Sequence, residues 1–217
     1  VETLQSLPLE EAERARYLEL MSQQAASMQS LVNDLLTLSR IEGSPPPRKD
    51  EWTSVQELTA LCAQEAQALS ALLTAGQGAA HQLRFDAAPE IAVAGARTEL
   101  QSAMSNLVSN AVRYTPPGGS IHVTWHTLAE GQLEFSVTDT GPGVAPEHLP
   151  RLTERFYRVD RSRSRETGGT GLGLAIVKHV VQRHAAELRV QSTLGRGSRF
   201  AVVFPKQRVR EGRALTQ

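Results

Sequence analysis

The sequence predicts an α+β fold: a two-layer α/β sandwich with helices covering one face of a mixed sheet, preceded by a long helix suited to a helical bundle. Three observations carry this expectation. Apolar residues recur at helical spacing in four separate stretches, whereas other segments alternate apolar and polar residues with period two. Most of the period-two segments come in pairs joined by short glycine-bearing turns, which makes hairpins rather than the βαβ units of a parallel fold. Between the first helical stretch and the rest stand Gly43, Ser44, Pro45, Pro46 and Pro47, a run through which no helix continues.

The first element is a helix from Leu9 to Glu42. Tyr17, Met21, Gln24, Met28, Leu31, Leu35 and Leu38 form one apolar seam, and Leu18, Met21, Ala25, Met28, Val32 and Leu35 form a second beside it. Two adjacent seams are too wide for a two-stranded coiled coil and fit a bundle. Such a helix either packs on its own domain or, standing beyond a stiff proline linker, meets a partner chain. Ser54 to Leu73 is the second helix, with Val55, Leu58, Leu61, Cys62, Ala66 and Leu69 on one side. His81 to Asp86 and Ile91 to Ala94 are short strands. Arg97 to Tyr114 is helical, with Leu100, Met104, Leu107, Val108 and Ala111 on its apolar face. Ser120 to Thr127 and Gln132 to Asp139 form a hairpin around Ala129-Glu130-Gly131. Gly171 to His184 is the last helix, and Glu187 to Ser192 with Ser198 to Phe204 form a second hairpin around Gly195-Arg196-Gly197.

Composition narrows the function. The 217 residues allow one domain and an additional segment, and 23 basic residues balance 23 acidic ones. A neutral chain is a poor general binder of nucleic acid or anionic membrane, so neither is expected as a partner. The lone Cys62 leaves no disulfide framework or Cys-rich zinc site and is read as a small core residue. No apolar run reaches the roughly 18 residues of a membrane span, and the start has no apolar signal-peptide segment.

Three clusters carry candidate chemistry. Asn106 and Asn110 lie four apart on a helix with an apolar opposite side, so both amides project from one face. An amide oxygen suits a Mg²⁺ ion that arrives carrying phosphate charge. Asp139-Thr140-Gly141-Pro142-Gly143-Val144 ends a strand with a carboxylate able to accept from an exocyclic amine, and its glycines let a flat base approach. Gly168-Gly169-Thr170-Gly171-Leu172-Gly173-Leu174 runs into a helix, and its free N–H groups and dipole form a phosphate cradle. No Lys-Ser or Lys-Thr pair follows, so this is no Walker loop, and no buried strand precedes it, so it is no Rossmann turn. Between the last two clusters, residues 151–165 hold six arginines against two acids, with Phe156 and Tyr157 among them. That stretch suits a mobile lid over a polyphosphate. Taken singly, each cluster could also be a surface amide pair, a strand-ending turn or a flexible loop.

In this order and spacing the clusters resemble the N, G1, F and G2 boxes of bacterial sensor histidine kinases, whose ATP-binding domain shares the Bergerat (GHKL) fold with gyrase B, Hsp90 and MutL. Asn106 to Thr115 is similar to the N box, Asp139 to Val144 to G1, Arg155 to Arg158 to F and Gly168 to Leu174 to G2. The stretch PEHLPRLTERFYRVDRSRSRETGGTGLGLAIVKH, residues 146–179, and LLTLSRIEG before the linker are most similar to the phosphate-regulon branch. The resemblance implies ATP and Mg²⁺ as ligands, with Asn110 on the metal and Asn106 beside it. It places Arg113 and Arg158 on phosphate oxygens, Asp139 on the adenine amine, and Tyr114 against the base. Gly141, Gly143, Val144, Tyr157 and Ser198 join the nucleotide-binding set, and the backbone of Gly169, Thr170, Gly171, Leu172, Gly173 and Leu174 cradles the phosphates. Residues 144–168 would be the ATP lid. Asn106, Asn110 and Arg158 are the candidate catalytic residues.

Two departures sharpen the reading. Hydrolytic relatives carry a water-activating glutamate where Asn106 stands, and an amide is no base. The implied reaction is therefore phosphoryl transfer to a histidine, rather than ATP hydrolysis or mere dimerisation around a degenerate site. None of His81, His122, His126, His148, His179 and His184 has the H-E-x-x-x-P context of a phosphoacceptor. The acceptor histidine, sensor region and membrane anchor are expected upstream, with Val1 to Leu7 the tail of a preceding bundle helix. The expected organisation is then 1–44 as part of a dimerisation hairpin, 45–50 as linker, 51–206 as ATP-binding domain and 207–217 as flexible tail. A homodimer partner and a response-regulator receiver domain follow from the resemblance, as does a cytoplasmic location for this part of an inner-membrane sensor.

Overall fold

The computed structural model describes residues 10–76, 78–159 and 169–211, the side chain of Gln23 excepted. Helix α1 spans Glu11–Gly43 and ends at Ser44, before the prolines. Strand β1 (Trp52–Ser54) leads directly into α2 (Val55–Thr74), where the Ser54 hydroxyl accepts from the Glu57 N–H and caps the helix. β2 (Gln82–Phe85) and β3 (Ile91–Ala94) precede α3 (Arg97–Tyr114). The hairpin β4 (Ser120–Thr127) and β5 (Leu133–Asp139) is followed by a 3-10 turn at Pro146–Arg151, then α4 (Gly173–Arg183). β6 (Glu187–Thr193), β7 (Gly197–Phe204) and β8 (Val209–Glu211) complete the chain.

Five strands form the main sheet in the order β2-β4-β5-β7-β6, with β2 parallel to β4 and the rest antiparallel. Period-two alternation gives this sheet its sidedness. Ile121, Val123 and Trp125 of β4, Leu133, Phe135 and Val137 of β5, and Val202 and Phe204 of β7 join one core with the apolar faces of α2, α3 and α4. Trp125 and Phe135 pack with ring centroids 4.9 Å apart, and the Trp125 N–H donates to Thr59 on α2 at 2.8 Å. On the opposite sheet face polar side chains pair around Ala201 and Val203: Thr124 bonds Ser136 at 2.9 Å, and Arg199 pairs with Glu134. Cys62 is fully buried, and burial pushes its thiol up to about 11.

Two features differ from expectation. β1, β3 and β8 form a second, antiparallel sheet, in which β1 and β8 are too short to register as alternation in the sequence. The flexible tail expected from Gln207 is instead ordered as far as Glu211, a 3-10 turn at Lys206–Arg208 leading into β8, and Arg208 is 4% exposed, its Nη1 donating to the Ala94 carbonyl at 3.1 Å. The remaining tail residues 212–217 and the helix tail expected at Val1 to Leu7 lie outside the described residues.

Helix α1 departs from the domain at its start and docks at its end. Leu38 and Ile41 are 2% and 4% exposed, whereas Tyr17, Met21, Met28, Val32 and Leu35 are open to solvent. Arg183 of α4 holds the join. Its Nη1 and Nη2 donate to the Ser44 and Pro45 carbonyls at 3.0 and 2.6 Å, while Nε and Nη2 take the two Glu99 oxygens at 3.0 Å. Arg183→Ala should weaken this anchorage by about 2–3 kcal/mol, since it removes charge-assisted bonds from a mostly buried pair. Faster trypsin cleavage after Arg40, Arg48 and Lys49, with the domain core still resistant, is the expected readout; an unchanged rate would refute the anchoring role.

Candidate functional site

The alternation that lays β5 and β7 against the helices also builds the site. Asp139 continues the inward series Leu133, Phe135, Val137, and its strand partner Ser198 continues Phe204, Val202, Phe200. Both therefore point toward the helix layer at the end of the sheet where the cover stops, and both line a cavity of about 540 Å³. Across it runs a polar stripe of α3. Asn106, Asn110 and Arg113 repeat at helical spacing, with Tyr114 beside them, while Leu107, Val108 and Ala111 hold the other side in the core. The glycine loop 169–172 closes a third side and hands over to α4.

Fifteen of the sequence-predicted residues meet in this one cavity: Asn106, Asn110, Arg113, Tyr114, Asp139, Gly143, Val144, Tyr157, Arg158, Gly169, Thr170, Gly171, Gly173, Leu174 and Ser198. Gly141 and Leu172 stand behind it. The Gly141 N–H donates to Asp139 Oδ1 at 2.8 Å and fixes the carboxylate. Leu172 is fully buried and anchors the start of α4 in the core. The segment 160–168, which includes Gly168, Arg161, Arg163 and Arg165 of the expected lid, lies outside the described residues.

Each polar group has a defined state. Asp139 is 8% exposed, and burial raises its carboxyl above the ordinary carboxylate value, partly opposed by the Gly141 and Ser198 N–H groups. A carboxylate on the cavity wall, with Oδ1 held by the Gly141 N–H, retains lone pairs that can accept from a donor in the cavity. Asn106 is already engaged: its amide N–H donates to the Ser102 carbonyl at 2.8 Å, and a Cβ on Gly173 would stand 2.5 Å from its oxygen. Arg158 differs. Its Nε and Nη2 are buried without a hydrogen-bond partner among the described residues, an arrangement that calls for an anion. Tyr157, beside it, is held by His148 at 2.7 Å and by Arg151 stacked 4.2 Å from its ring centre. Gly171 adopts φ +75°, and a Cβ there would come within 2.9 Å of Phe156. That close approach lets the Phe156 N–H donate to the Gly171 carbonyl at 2.9 Å, tying the aromatic segment to the glycine loop.

Sequence reasoning missed three contributors. Ser30 and Asp34 of α1 line the cavity, and Asp34 Oδ2 accepts from the Thr170 hydroxyl at 2.6 Å. Glu65 of α2 also reaches it, held by Ser105 and Gln101. Their signal was weak, because one acid on an amphipathic helix normally marks its solvated face. The histidines expected to be structural or on the surface have structural partners in several cases. His81 bonds Ser70 and the Thr115 carbonyl, both at 2.9 Å, and fully buried His184 bonds the Val180 carbonyl at 2.8 Å.

Residues 95–208 match the family of histidine kinase-, DNA gyrase B- and HSP90-like ATPases. The phosphate regulon sensor protein PhoR of Pseudomonas aeruginosa is 50% identical over 196 residues, which are 90% of this chain and 43% of that protein. The sensor-like histidine kinase SenX3 of Mycobacterium tuberculosis is 39% identical over 190 residues, 88% of this chain and 45% of that one. The chain thus spans less than half the length of these relatives. Among solved structures, full-length ShkA in complex with AMPPNP superposes with a TM-score of 0.67 at 28% identity, over 93% of this chain and 40% of that one. The mycobacterial sensor histidine kinase MprB gives 0.58 at 28% identity, over 71% of this chain and 96% of that one.

Proposed function

Because the chain belongs to the histidine kinase-, DNA gyrase B- and HSP90-like ATPase family and its relatives are sensor histidine kinases, we propose that it is the ATP-binding catalytic region of a phosphate-responsive sensor kinase. The longer protein would transfer the ATP γ-phosphoryl group to its own histidine and then to an aspartate of a response regulator. The exposed apolar face of α1 would join two copies, and this region would lie on the cytoplasmic side of a membrane-anchored sensor. Among the described residues no helix is long and apolar enough to cross a membrane.

The observation that carries the reading is the convergence of a buried carboxylate, two amides, an unsatisfied buried guanidinium and a glycine loop on one cavity. The Asp139 carboxylate would accept from the adenine amine, with Tyr114 against the ring. The loop 169–174 would offer backbone N–H groups to the phosphates. Arg158 and Arg113 would neutralise charge on the transferred group, the main demand of phosphoryl transfer. Asn110 would hold Mg²⁺, which supplies charge neutralisation between the phosphates. The donor set fits, since a neutral amide serves an ion whose other ligands are phosphate oxygens and water. Asn106 bears on hydrolysis as the rival reaction: with its N–H on Ser102 and no carboxylate, it cannot take a proton from water.

Calorimetry with Mg-ADP checks the site. The protein should bind Mg-ADP, and Asn110→Ala and Arg158→Ala should each weaken that affinity about tenfold or more while leaving adenosine nearly unchanged. Absence of binding by the unmodified protein, or equal binding by Asn110→Ala, would overturn it.

A further inference from the structure

Helix α1 reads as a bundle helix, yet one of its acids sits inside the nucleotide cavity. Ser30, Asp34, Leu38 and Ile41 follow one another by steps of four, four and three, so they form a single stripe. Leu38 and Ile41 are buried, α1 packs on α4, and this docking carries Asp34 to the mouth of the cavity. The exposed apolar residues Met28, Val32, Leu35 and Leu36 occupy other positions, so docking on the domain and pairing elsewhere use different faces.

Asp34 meets the glycine loop at a critical atom. The Thr170 hydroxyl donates to Asp34 Oδ2 at 2.6 Å and accepts from the Leu172 N–H at 3.2 Å, which lies at the start of α4. Asp34 thereby takes up, through one hydroxyl, part of the positive end of the helix that a phosphate would otherwise use. Arg113, also on the cavity wall, acts on the same carboxylate. Burial raises the Asp34 carboxyl while Thr170 and Arg113 lower it, so the acid stands in a partly desolvated place among phosphate-seeking groups. One residue beyond Ile41, Glu42 binds Arg155 of the aromatic segment and lies 3.4 Å from His179 of α4. The docked helix is thus fastened at two acids, one inside the cavity and one outside.

We propose that Asp34 is an internal competitor for the nucleotide's phosphates: with α1 docked, its carboxylate occupies the Thr170 hydroxyl at the glycine loop, and nucleotide binding must displace it. The inference rests on the nucleotide reading of the cavity and adds a coupling to it. Binding at the glycine loop and docking of α1 become mutually opposed, so a signal that moves α1 changes nucleotide affinity, and nucleotide in turn loosens α1. A second carboxylate close to a polyphosphate in a partly desolvated pocket is repulsive enough to matter.

Calorimetry on the whole chain with ADP, Mg-ADP and adenosine tests this. Asp34→Asn keeps the size and removes the charge, and it should bind ADP and Mg-ADP about tenfold more tightly with adenosine unchanged. Glu42→Gln, which lies outside the cavity and loosens docking alone, should shift ADP in the same direction by a smaller factor. Thermal melting of each variant confirms that it is folded. An equal gain for adenosine and ADP would mean that α1 blocks the cavity by bulk, and would overturn the charge competition. Weaker Mg-ADP binding by Asp34→Asn would make Asp34 a helper of the metal, and would overturn it too. If neither the unmodified protein nor Asp34→Asn binds ADP, while both stay folded, the nucleotide reading itself fails and this inference with it.

Discussion

Asp139→Asn should raise the stability of the protein at neutral pH and abolish the proposed preference for adenine. The two effects have one cause. Asp139 is 8% exposed, and burial lifts its carboxyl above the ordinary carboxylate value. The native state therefore holds the proton more tightly than the unfolded chain. Stability falls as pH rises from the unfolded value through the raised native one, and stays at that lower level above it. The amide carries no such cost, so the variant should gain about 1 kcal/mol at pH 7, or about 2–4 °C in melting temperature, and nothing near pH 3. Recognition changes in the opposite sense. The Gly141 N–H donates to Oδ1 at 2.8 Å and will keep an oxygen there, so the amide must turn its NH₂ toward the cavity. A donor then faces the adenine amine, also a donor. Adenosine affinity should drop about 10- to 100-fold, while a purine with an oxygen at the same position gains relative to it. Melting curves at pH 3 and pH 7, with calorimetry on adenosine and inosine, measure both halves. Unchanged adenosine binding would remove Asp139 from the base-recognition role.

How much of this was legible in the residues depended on the range of the interactions. Arg97–Tyr114 and Ser120–Thr127 follow from period alone, because each buries one face against the core and its ends are marked by local turn chemistry. The cavity was legible for a related reason. Its chemistry sits on three short clusters whose residue types serve little structural purpose together, and alternation along β5 already sends Asp139 to the face shared with Phe135. The second sheet was not legible. β1 and β8 have three residues each and acquire a partner only through β3, where Trp52 meets Ala94 and Glu211 meets Ile91, long-range pairings that no local pattern encodes. Asp34 was hidden by a different mechanism. Two apolar seams on α1 dominate its pattern, and the acid's significance depends on which of its faces docks, a tertiary choice made by Leu38, Ile41 and Arg183.

Gly197→Ala should be among the most damaging single-methyl changes in the protein, although Gly197 touches no proposed ligand group. Its φ is +113°, a conformation that alanine adopts only with strain, and a Cβ there would stand 2.0 Å from the Asp139 carbonyl oxygen and 3.0 Å from the Thr140 Cα. These are backbone atoms of the neighbouring strand and cannot rotate away. Relief requires β7 to lift from β5 where Ser198 faces Asp139, so strain in the turn passes directly to the carboxylate. A loss of about 3 kcal/mol or more is expected, lowering the melting temperature by about 6–12 °C, together with weakened adenosine binding. Gly195, two residues earlier in the same turn, supplies the control. Its φ is +80°, yet nothing lies within 4 Å of a Cβ built there, so Gly195→Ala should cost the backbone strain alone, about 1 kcal/mol, and leave adenosine affinity intact. The difference between the two variants isolates the contact with β5 from the intrinsic preference of glycine. Equal destabilisation in denaturant titrations would show that the turn, and not the apposition of β7 to Asp139, is what this glycine protects.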